Sequence, residues 1–203
     1  MMFCAATIRQ ICGKKRCKML LRLIEDMNRA LDYDCYFAAL AIALMLPDIC
    51  GKAKYPSKKV GERYIDWYDE YVGQYEKSSG KETPYLSGEI VYKLRCAFLH
   101  QGNPNIEKES ISDETCKIDH FSLRLEKKNE FDLYSDSSSM FQWLCNDKGI
   151  GKPIRNYQVN VRRLCMVLAA CAKGYYRDYP EQFDFFEYDI VSPDAKSSEE
   201  MPN

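Results

Sequence analysis

The chain has 203 residues, a formal net charge of −1 at pH 7 and a sequence pI of about 6.2. This length suits one domain that can build its own hydrophobic core, with or without an insertion. The near-zero net charge excludes a protein that attracts nucleic acid through a bulk positive field. Any contact with nucleic acid would have to come from a local patch.

Ten cysteines are spread along the chain without a C-x-x-C pair. This spacing excludes zinc-ribbon and thioredoxin-like sites. Several cysteines, such as Cys96, Cys165 and Cys171, fall within apolar helical patterns. We therefore interpret them as reduced thiols of a cytoplasmic protein rather than as a disulfide framework.

The N-terminal segment lacks the unbroken apolar core of a signal peptide, and the most apolar run, "FAALAIALMLP", is about half the length that crosses a bilayer. We expect a cytoplasmic protein with no membrane partner.

The first predicted helix covers about 19–31 and follows a basic run at 14–18. Asp32 or Asp34 is predicted to cap a second helix, "CYFAALAIALML", which ends at Pro47. Because this segment is apolar on nearly every face, we expect it at the centre of a helical bundle.

A third helix is predicted over about 60–77, after a linker that contains Gly51 and Pro56. Aromatic residues recur at helical spacing on one side of it: Tyr64, Trp67, Tyr68, Tyr71 and Tyr75. Such a stripe usually belongs to the core, and base stacking is the alternative.

Ser87 is predicted to cap a fourth helix, "GEIVYKLRCAFLHQ", which Gly102 and Pro104 end. The segment "CKIDHFSLRLE" then alternates on its apolar residues, and "EFDLYSD" follows across "KKN", which predicts a β-hairpin inserted at about 106–140.

A long final helix is predicted from near Tyr157 to about 177, and residues 194–203 are predicted to be a flexible polar tail. The expected fold is mainly α. A single domain over 1–193 would hold a bundle of about five helices and the small inserted β-hairpin.

The common catalytic and cofactor-binding motifs are absent from this sequence. "KGIGKP" is too compact for a phosphate loop, and Pro153 stands where the magnesium-binding Ser or Thr belongs. Two histidines cannot build a histidine-rich metal site. We therefore expect neither a metal nor a nucleotide cofactor.

The fourth helix carries two apolar sides. With Leu94 at the centre of one side, a second apolar patch of Tyr92, Cys96 and Leu99 falls opposite, bordered by Arg95 and His100. Such a helix must pack twice. It either sits centrally in its own bundle, with Arg95 in a structural ion pair, or faces a second copy of the chain and brings two arginines and two histidines into one cleft.

Arginine and histidine suit RNA cleavage. The rigid donor fork of arginine binds a phosphodiester bidentately, and histidine accepts or donates a proton near neutral pH. RNA supplies its own nucleophile, the ribose 2′-hydroxyl. A positioned Arg and His could therefore cleave a strand without a metal.

The arginine, four residues and a histidine in "RCAFLH", late in a helix of an all-α bundle, resemble the signature of the HEPN superfamily. The resemblance implies a homodimer through the helix at 87–101 and a composite, metal-independent ribonuclease site. Arg95 would bind the scissile phosphate, and His100 would transfer protons. It also implies a toxin or an abortive-infection or antiviral effector, with an antitoxin or sensor protein as a further partner.

A second hypothesis stays open. Catalytic members of the superfamily usually carry a polar residue directly after the arginine, where this chain has Cys96. The alternative is a non-catalytic HEPN-like helical dimer that binds RNA, a nucleotide or a protein partner, with Arg95 and His100 in structural roles.

Three neighbours of the motif are candidate RNA-binding residues. Tyr92 would contact RNA or pack at an interface. Gln101 and Asn103 would donate hydrogen bonds to a phosphate or satisfy carbonyl groups at the helix end.

Three further features outside the motif are predicted to be exposed. His120 is expected to be an exposed strand residue. Arg162 and Arg163, and the basic run at 14–18, are either cationic patches that guide RNA or ordinary solvated surface.

Overall fold

The computed structural model describes residues 18–76, 86–103, 105–106, 111–112, 118–128, 138–145 and 151–186. Within these ranges the chain is mainly helical, with five main helices and one small sheet, and this confirms the predicted fold class. The predicted tail at 194–203 and residues 14–17 of the basic run lie outside the described residues.

The elements follow one another in chain order. The helices are α1 (Lys18–Asp32), α2 (Tyr36–Lys54), α3 (Val60–Tyr68), α4 (Gly88–Gln101) and α5 (Val161–Asp178). Helix α3 continues through a π-helical turn, Asp69–Gly73, into Gln74–Glu76, and a 3-10 turn, Pro180–Phe183, follows α5. The strands are β1 (His120–Arg124), β2 (Ser138–Cys145) and β3 (Gly151–Asn160).

Helix α2 lies at the centre of the bundle, as predicted, and packs against each of the other four main helices. Its core residues lie on several sides of the helix and include Ala39, Leu40, Ala43, Leu44 and Cys50. Among the described residues it is the one helix long and apolar enough to cross a membrane. Half of that apolar window is buried inside the fold.

The prediction that Pro47 ends this helix is wrong, because α2 runs on to Lys54 with Pro47 buried inside it. Proline removes one helical hydrogen bond and crowds the preceding turn, at a cost of about 3 kcal/mol. Burial of Ile49, Cys50 and Ala53 in the turns beyond the proline offsets this cost.

The predicted aspartate cap is also wrong. The residue before α2 is Cys35, whose side chain makes no capping hydrogen bond to the described helix. Asp34 adopts a left-handed conformation with φ of 53°, which aspartate tolerates better than most residues. Its carboxylate accepts hydrogen bonds from Tyr36 and Arg162, while Asp32 pairs with Lys128.

The aromatic stripe of α3 belongs to the core over most of its length. Tyr64, Trp67 and Tyr68 are completely buried. Tyr71 stacks on the Trp67 ring at 5.3 Å, whereas Tyr75 is 77% exposed.

Both predicted ends of α4 are confirmed. The Ser87 hydroxyl accepts a hydrogen bond from the Ile90 N–H at 3.3 Å. At the other end, Gly102 takes the left-handed conformation with φ of 65°, and its N–H donates to the Phe98 carbonyl. Pro104 lies outside the described residues.

The small sheet has the strand order β1–β3–β2. Strand β1 falls within the predicted insertion, but its partner is β3, in parallel, with Phe121 opposite Tyr157 and Leu123 opposite Val159. The antiparallel hairpin is formed by β2 and β3 and ends at Asn160. It therefore lies later in the chain than the predicted 106–140. The segment expected to pair with β1, at 130–136, is outside the described residues.

Helix α5 begins after Asn160, so the prediction that it starts near Tyr157 is wrong. Tyr157 and Val159 are buried strand residues on either side of the exposed Gln158. The Asn160 side chain then accepts a hydrogen bond from the Arg163 N–H at 3.1 Å, which starts the helix.

The described cysteine side chains are all free thiols: Cys35, Cys50, Cys96, Cys165 and Cys171.

Candidate functional site

Arg95 and His100 are in direct contact at the C-terminal end of α4. Arg95 Nη1 lies 3.1 Å from His100 Nε2, although the two residues are about one and a half turns apart along the helix. A guanidinium group only donates hydrogen bonds, so His100 Nε2 accepts in this contact. An imidazole that accepts a hydrogen bond at Nε2 carries its proton on Nδ1.

Two further residues join this pair from neighbouring helices. Asp48, on α2, places Oδ2 3.5 Å from Arg95 Nη2. Its Oδ1 accepts hydrogen bonds from Arg63, on α3, at 3.2 Å from Nε and 2.9 Å from Nη2. Three helices thus meet at one cluster, Arg63–Asp48–Arg95–His100, which carries two guanidinium charges and one carboxylate charge. These three groups together leave one net positive charge, without counting the imidazole.

The cluster is half-buried, which makes its charges stronger than surface charges. The exposed fractions are 15% for the Arg63 side chain, 18% for Arg95 and 23% for Asp48, while His100 is exposed. Partial exclusion of water lowers the local dielectric and strengthens the attraction of the cluster for an anion. The open side of the cluster is the side of His100.

The donors of Arg95 are unequally available. Its Nε is buried and has no hydrogen-bond partner in the described part of the chain. Its Nη1 and Nη2 carry four N–H groups between them, and each nitrogen makes one contact, with His100 and with Asp48. An incoming phosphate can therefore be held end-on by the two Nη atoms, next to the imidazole.

The sequence prediction did not find Asp48 or Arg63. The interpretation of Pro47 as a helix end placed Asp48 in a linker, away from any helix face. The fold brings the two residues together at Gly51, where a Cβ atom would lie 2.5 Å from the Arg63 carbonyl oxygen. A glycine at such a close approach brings α2 and α3 together and places Arg63 beside Asp48.

Tyr92 lies on the side of α4 that faces α3, half-buried. Its ring centroid is 5.3 Å from that of Tyr64, and the ring packs over Gly61. Burial, and then the neighbouring Cys96 thiol, raise the pKa of the Tyr92 hydroxyl above its ordinary value, so this hydroxyl stays protonated at neutral pH. The apolar patch predicted opposite Leu94 is therefore partly covered by the chain itself.

Gln101 and Asn103 are exposed beyond the motif. The Asn103 N–H donates to the Ala97 carbonyl, and the Asn103 side-chain oxygen accepts from the Asn105 N–H at 3.0 Å. Asn103 thus contributes to the turn that ends α4. His120 is exposed on β1, as predicted, and is not part of the cluster.

The arginines at the start of α5 do not form a cationic patch. Arg162 is buried and donates hydrogen bonds to two backbone carbonyls and to Asp34. Arg163 holds both carboxylate oxygens of Glu76, at 2.7 and 3.0 Å. Both positive charges are therefore used within the fold.

An apolar cleft of about 240 Å³ opens between the start of α2 and β1. Most of its lining is apolar, and Asn105 and Ser122 complete it; the apolar residues are Phe37, Phe121, Leu123 and Leu125. Phe37 also contacts Phe98 of α4, with ring centroids 6.0 Å apart. In the part of the chain that the structure describes, no group of three or more His, Cys, Asp or Glu side chains is placed to hold a metal ion.

Comparison with protein-family models, with curated proteins and with solved structures finds no match to this chain.

Proposed function

We propose that the chain is a metal-independent endoribonuclease of the HEPN type that acts as a homodimer. The observation that supports this most directly is the 3.1 Å contact between Arg95 Nη1 and His100 Nε2 at an exposed helix end. An anion-binding fork and a proton-transfer group lie within reach of a single phosphodiester.

The chemistry requires only RNA and the two side chains. When a phosphodiester binds, its non-bridging oxygens accept the Arg95 N–H groups, including the one that Nη1 gives to the imidazole. His100 Nε2 is then free to take the proton of the 2′-hydroxyl as its oxygen attacks phosphorus. The 5′-oxygen leaves with a proton from His100 of the second copy, which enters the reaction protonated and ends it neutral, while the first imidazole ends it protonated. The products are a 2′,3′-cyclic phosphate and a 5′-hydroxyl end.

The dimer would form through the helix at 87–101. Cys96 and Leu99 are half-buried in the single chain and lie on the same side of α4 as His100, where a two-fold axis would bring the two imidazoles into one cleft. Tyr92, Gln101 and Asn103 are the proposed RNA contacts around the phosphate. A role as a toxin or an antiviral effector, with an antitoxin or sensor partner, belongs to the same proposal.

A second candidate function has one observation in its favour. The Asp48 carboxylate already occupies one donor nitrogen of the Arg95 guanidinium, at 3.5 Å from Nη2. A structural ion pair of this kind suits a non-catalytic HEPN-like dimer that binds RNA, a nucleotide or a protein partner.

RNA cleavage in excess chelator separates the two functions. Wild type is compared with Arg95→Ala and His100→Ala, and His120→Ala is the matched control because His120 is the chain's other histidine and is exposed on β1. The ribonuclease proposal expects cyclic-phosphate ends from wild type and from His120→Ala. It expects a loss of at least about 100-fold in the two site variants.

Two results would oppose the proposal. Equal cleavage by all four proteins would assign the activity to a contaminant. No cleavage of varied RNAs by a folded dimer would favour the non-catalytic candidate.

A further inference from the structure

We infer that Asp48, anchored by Arg63, is a positioning residue that sets the orientation of Arg95 toward His100. The kinetic part of this inference rests on the proposed ribonuclease function, whereas its structural part does not. Asp48 would act through Arg95 and would not touch the substrate.

The first support is the unequal strength of the two contacts of Asp48. Arg63 binds Oδ1 through two donors, at 2.9 and 3.2 Å, which fixes the carboxylate in direction as well as in place. The contact from Oδ2 to Arg95 is longer, at 3.5 Å. Arg63 thus fixes the Asp48 carboxylate, and the carboxylate in turn orients Arg95.

The second support is the rigidity of the two helices that carry this pair. Asp48 lies between Pro47 and Ile49, both buried in the core. One turn later, the backbone of α2 at Gly51 approaches the Arg63 carbonyl too closely for any larger residue. The close packing of α2 against α3 therefore fixes the positions of Asp48 and Arg63.

The third support is the shortage of other constraints on Arg95. Among the described residues its side chain makes two polar contacts, one to Asp48 and one to His100, and its Nε makes none. Without Asp48, the contact with His100 would be the one polar constraint left on the guanidinium among the described residues. An arginine side chain has several rotatable bonds, so loss of one of two contacts widens its range of orientations.

The consequence is a specific arrangement of donors. Asp48 occupies one N–H of Nη2 and thereby turns Nη1 toward the imidazole. Nε2 of His100 then faces an N–H donor, which favours the tautomer that carries the proton on Nδ1. Asp48 therefore controls the state of a histidine that it does not contact.

The test measures directly which ring nitrogen of His100 carries the proton. Long-range ¹⁵N–¹H correlation spectra distinguish a protonated from an unprotonated ring nitrogen, and the chain has only one other histidine, His120, as an internal reference. Asp48→Asn keeps the shape of the side chain and removes its charge. Glu76→Gln is the matched control, because Glu76 pairs with Arg163 in a similarly half-buried, two-point ion pair that shares no residue with the cluster.

We expect Asp48→Asn to shift the Nε2 and Nδ1 signals of His100 toward a mixture of tautomers, with His120 unchanged. Glu76→Gln should leave both histidines unchanged. In the cleavage assay, Asp48→Asn should lower kcat about tenfold, with KM within about twofold of wild type, because orientation affects the transition state more than ground-state binding.

Three outcomes decide the inference. Unchanged His100 signals in folded Asp48→Asn would overturn it, and faster cleavage by this variant would also overturn it, because Asp48 would then compete with the phosphate. A shifted His100 signal in a protein whose wild type cleaves no RNA would support the positioning role and oppose the proposed function. Where Asp48→Asn does not fold, Arg63→Lys gives the same readout, because a lysine ammonium cannot hold Oδ1 through a planar fork.

Discussion

Arg162, at the start of α5, donates a hydrogen bond at 3.0 Å to the carbonyl oxygen of Leu31, near the end of α1. The same side chain donates to the Glu126 carbonyl at 3.1 Å and to the Asp34 carboxylate at 3.2 Å. Only 4% of Arg162 is exposed. One buried cation therefore ties together the end of α1, the loop after β1 and the start of α5.

Arg162→Met should be strongly destabilising. The methionine fills most of the space, but it leaves the buried Glu126 carbonyl without its donor and removes one of two donors from the Leu31 carbonyl and from the Asp34 carboxylate. We expect a cost of about 3 kcal/mol in the free energy of unfolding. Arg177→Met on the same helix is the control. Its side chain is 79% exposed, so we expect a change of less than about 0.5 kcal/mol. Urea unfolding measures both, and similar values for the two variants would contradict the structural role of Arg162.

Two helical glycines should respond oppositely to alanine. In Gly51→Ala the new Cβ would meet the Arg63 carbonyl oxygen, so α2 and α3 must separate, and we expect a loss of about 1–3 kcal/mol. In Gly174→Ala no atom of the described residues lies within 4 Å of the added Cβ, and the better helix propensity should stabilise the fold by about 0.5–1 kcal/mol. Thermal unfolding of the two variants checks the signs, and a stabilised Gly51→Ala would disprove the close packing of α2 and α3.

The sequence predicted well wherever a local signal agreed with the packing. The Ser87 and Gly102 ends of α4 were correct because capping chemistry acts over a few residues. The centrality of α2 followed from its apolar faces. The prediction at Pro47 was wrong because burial of the residues beyond the proline offsets its local cost. A local sequence pattern does not show this burial.

The start of α5 was misjudged for a related reason. Tyr157 and Val161 are four residues apart and fit a helical period, whereas Tyr157 and Val159 fit the strand period that the fold uses. The choice depends on β1, whose Phe121 and Leu123 lie opposite Tyr157 and Val159. A parallel pairing across more than thirty residues leaves no signal in either strand alone.

The residues of the candidate site also divide into those that a local pattern indicates and those that depend on packing. Arg95 and His100 could be found because they lie on one helix at a short spacing. Asp48 and Arg63 could not, because their contact depends on how closely α2 and α3 pack at Gly51. A site that is assembled from three helices is visible in sequence only through the segment that holds two of its members.

The proposed homodimer predicts that Leu99→Glu is monomeric. A carboxylate on the half-buried side of α4 would be desolvated at a two-fold interface and would lie near its own symmetry mate. Met166→Glu, at a residue of α5 that is 40% exposed, is the control and should keep the oligomeric state of wild type. Sedimentation equilibrium gives the masses, and circular dichroism verifies folding. A folded dimer of Leu99→Glu would exclude this side of α4 as the interface.

Cys165 should make the fold less stable at alkaline pH. Burial raises the pKa of this thiol to about 12, while an unfolded cysteine has a pKa of about 8.5. Below the unfolded value both states are protonated, so stability does not depend on this group. Above it the unfolded state loses the proton first, and the free energy of unfolding falls with pH until the folded value is reached.

Between pH 7 and pH 10, this one group should remove about 2 kcal/mol from the free energy of unfolding. Over this interval the free energy of unfolding of Cys165→Ala should therefore fall by about 2 kcal/mol less than that of wild type. This holds whatever the stability of the variant at pH 7. Val161→Ala, another fully buried truncation on α5, removes no titrating group and should keep the full alkaline loss. Urea unfolding under a reducing agent at the two pH values measures the difference. Equal losses in wild type and Cys165→Ala would mean that the Cys165 thiol ionises as readily in the folded protein as in the unfolded chain.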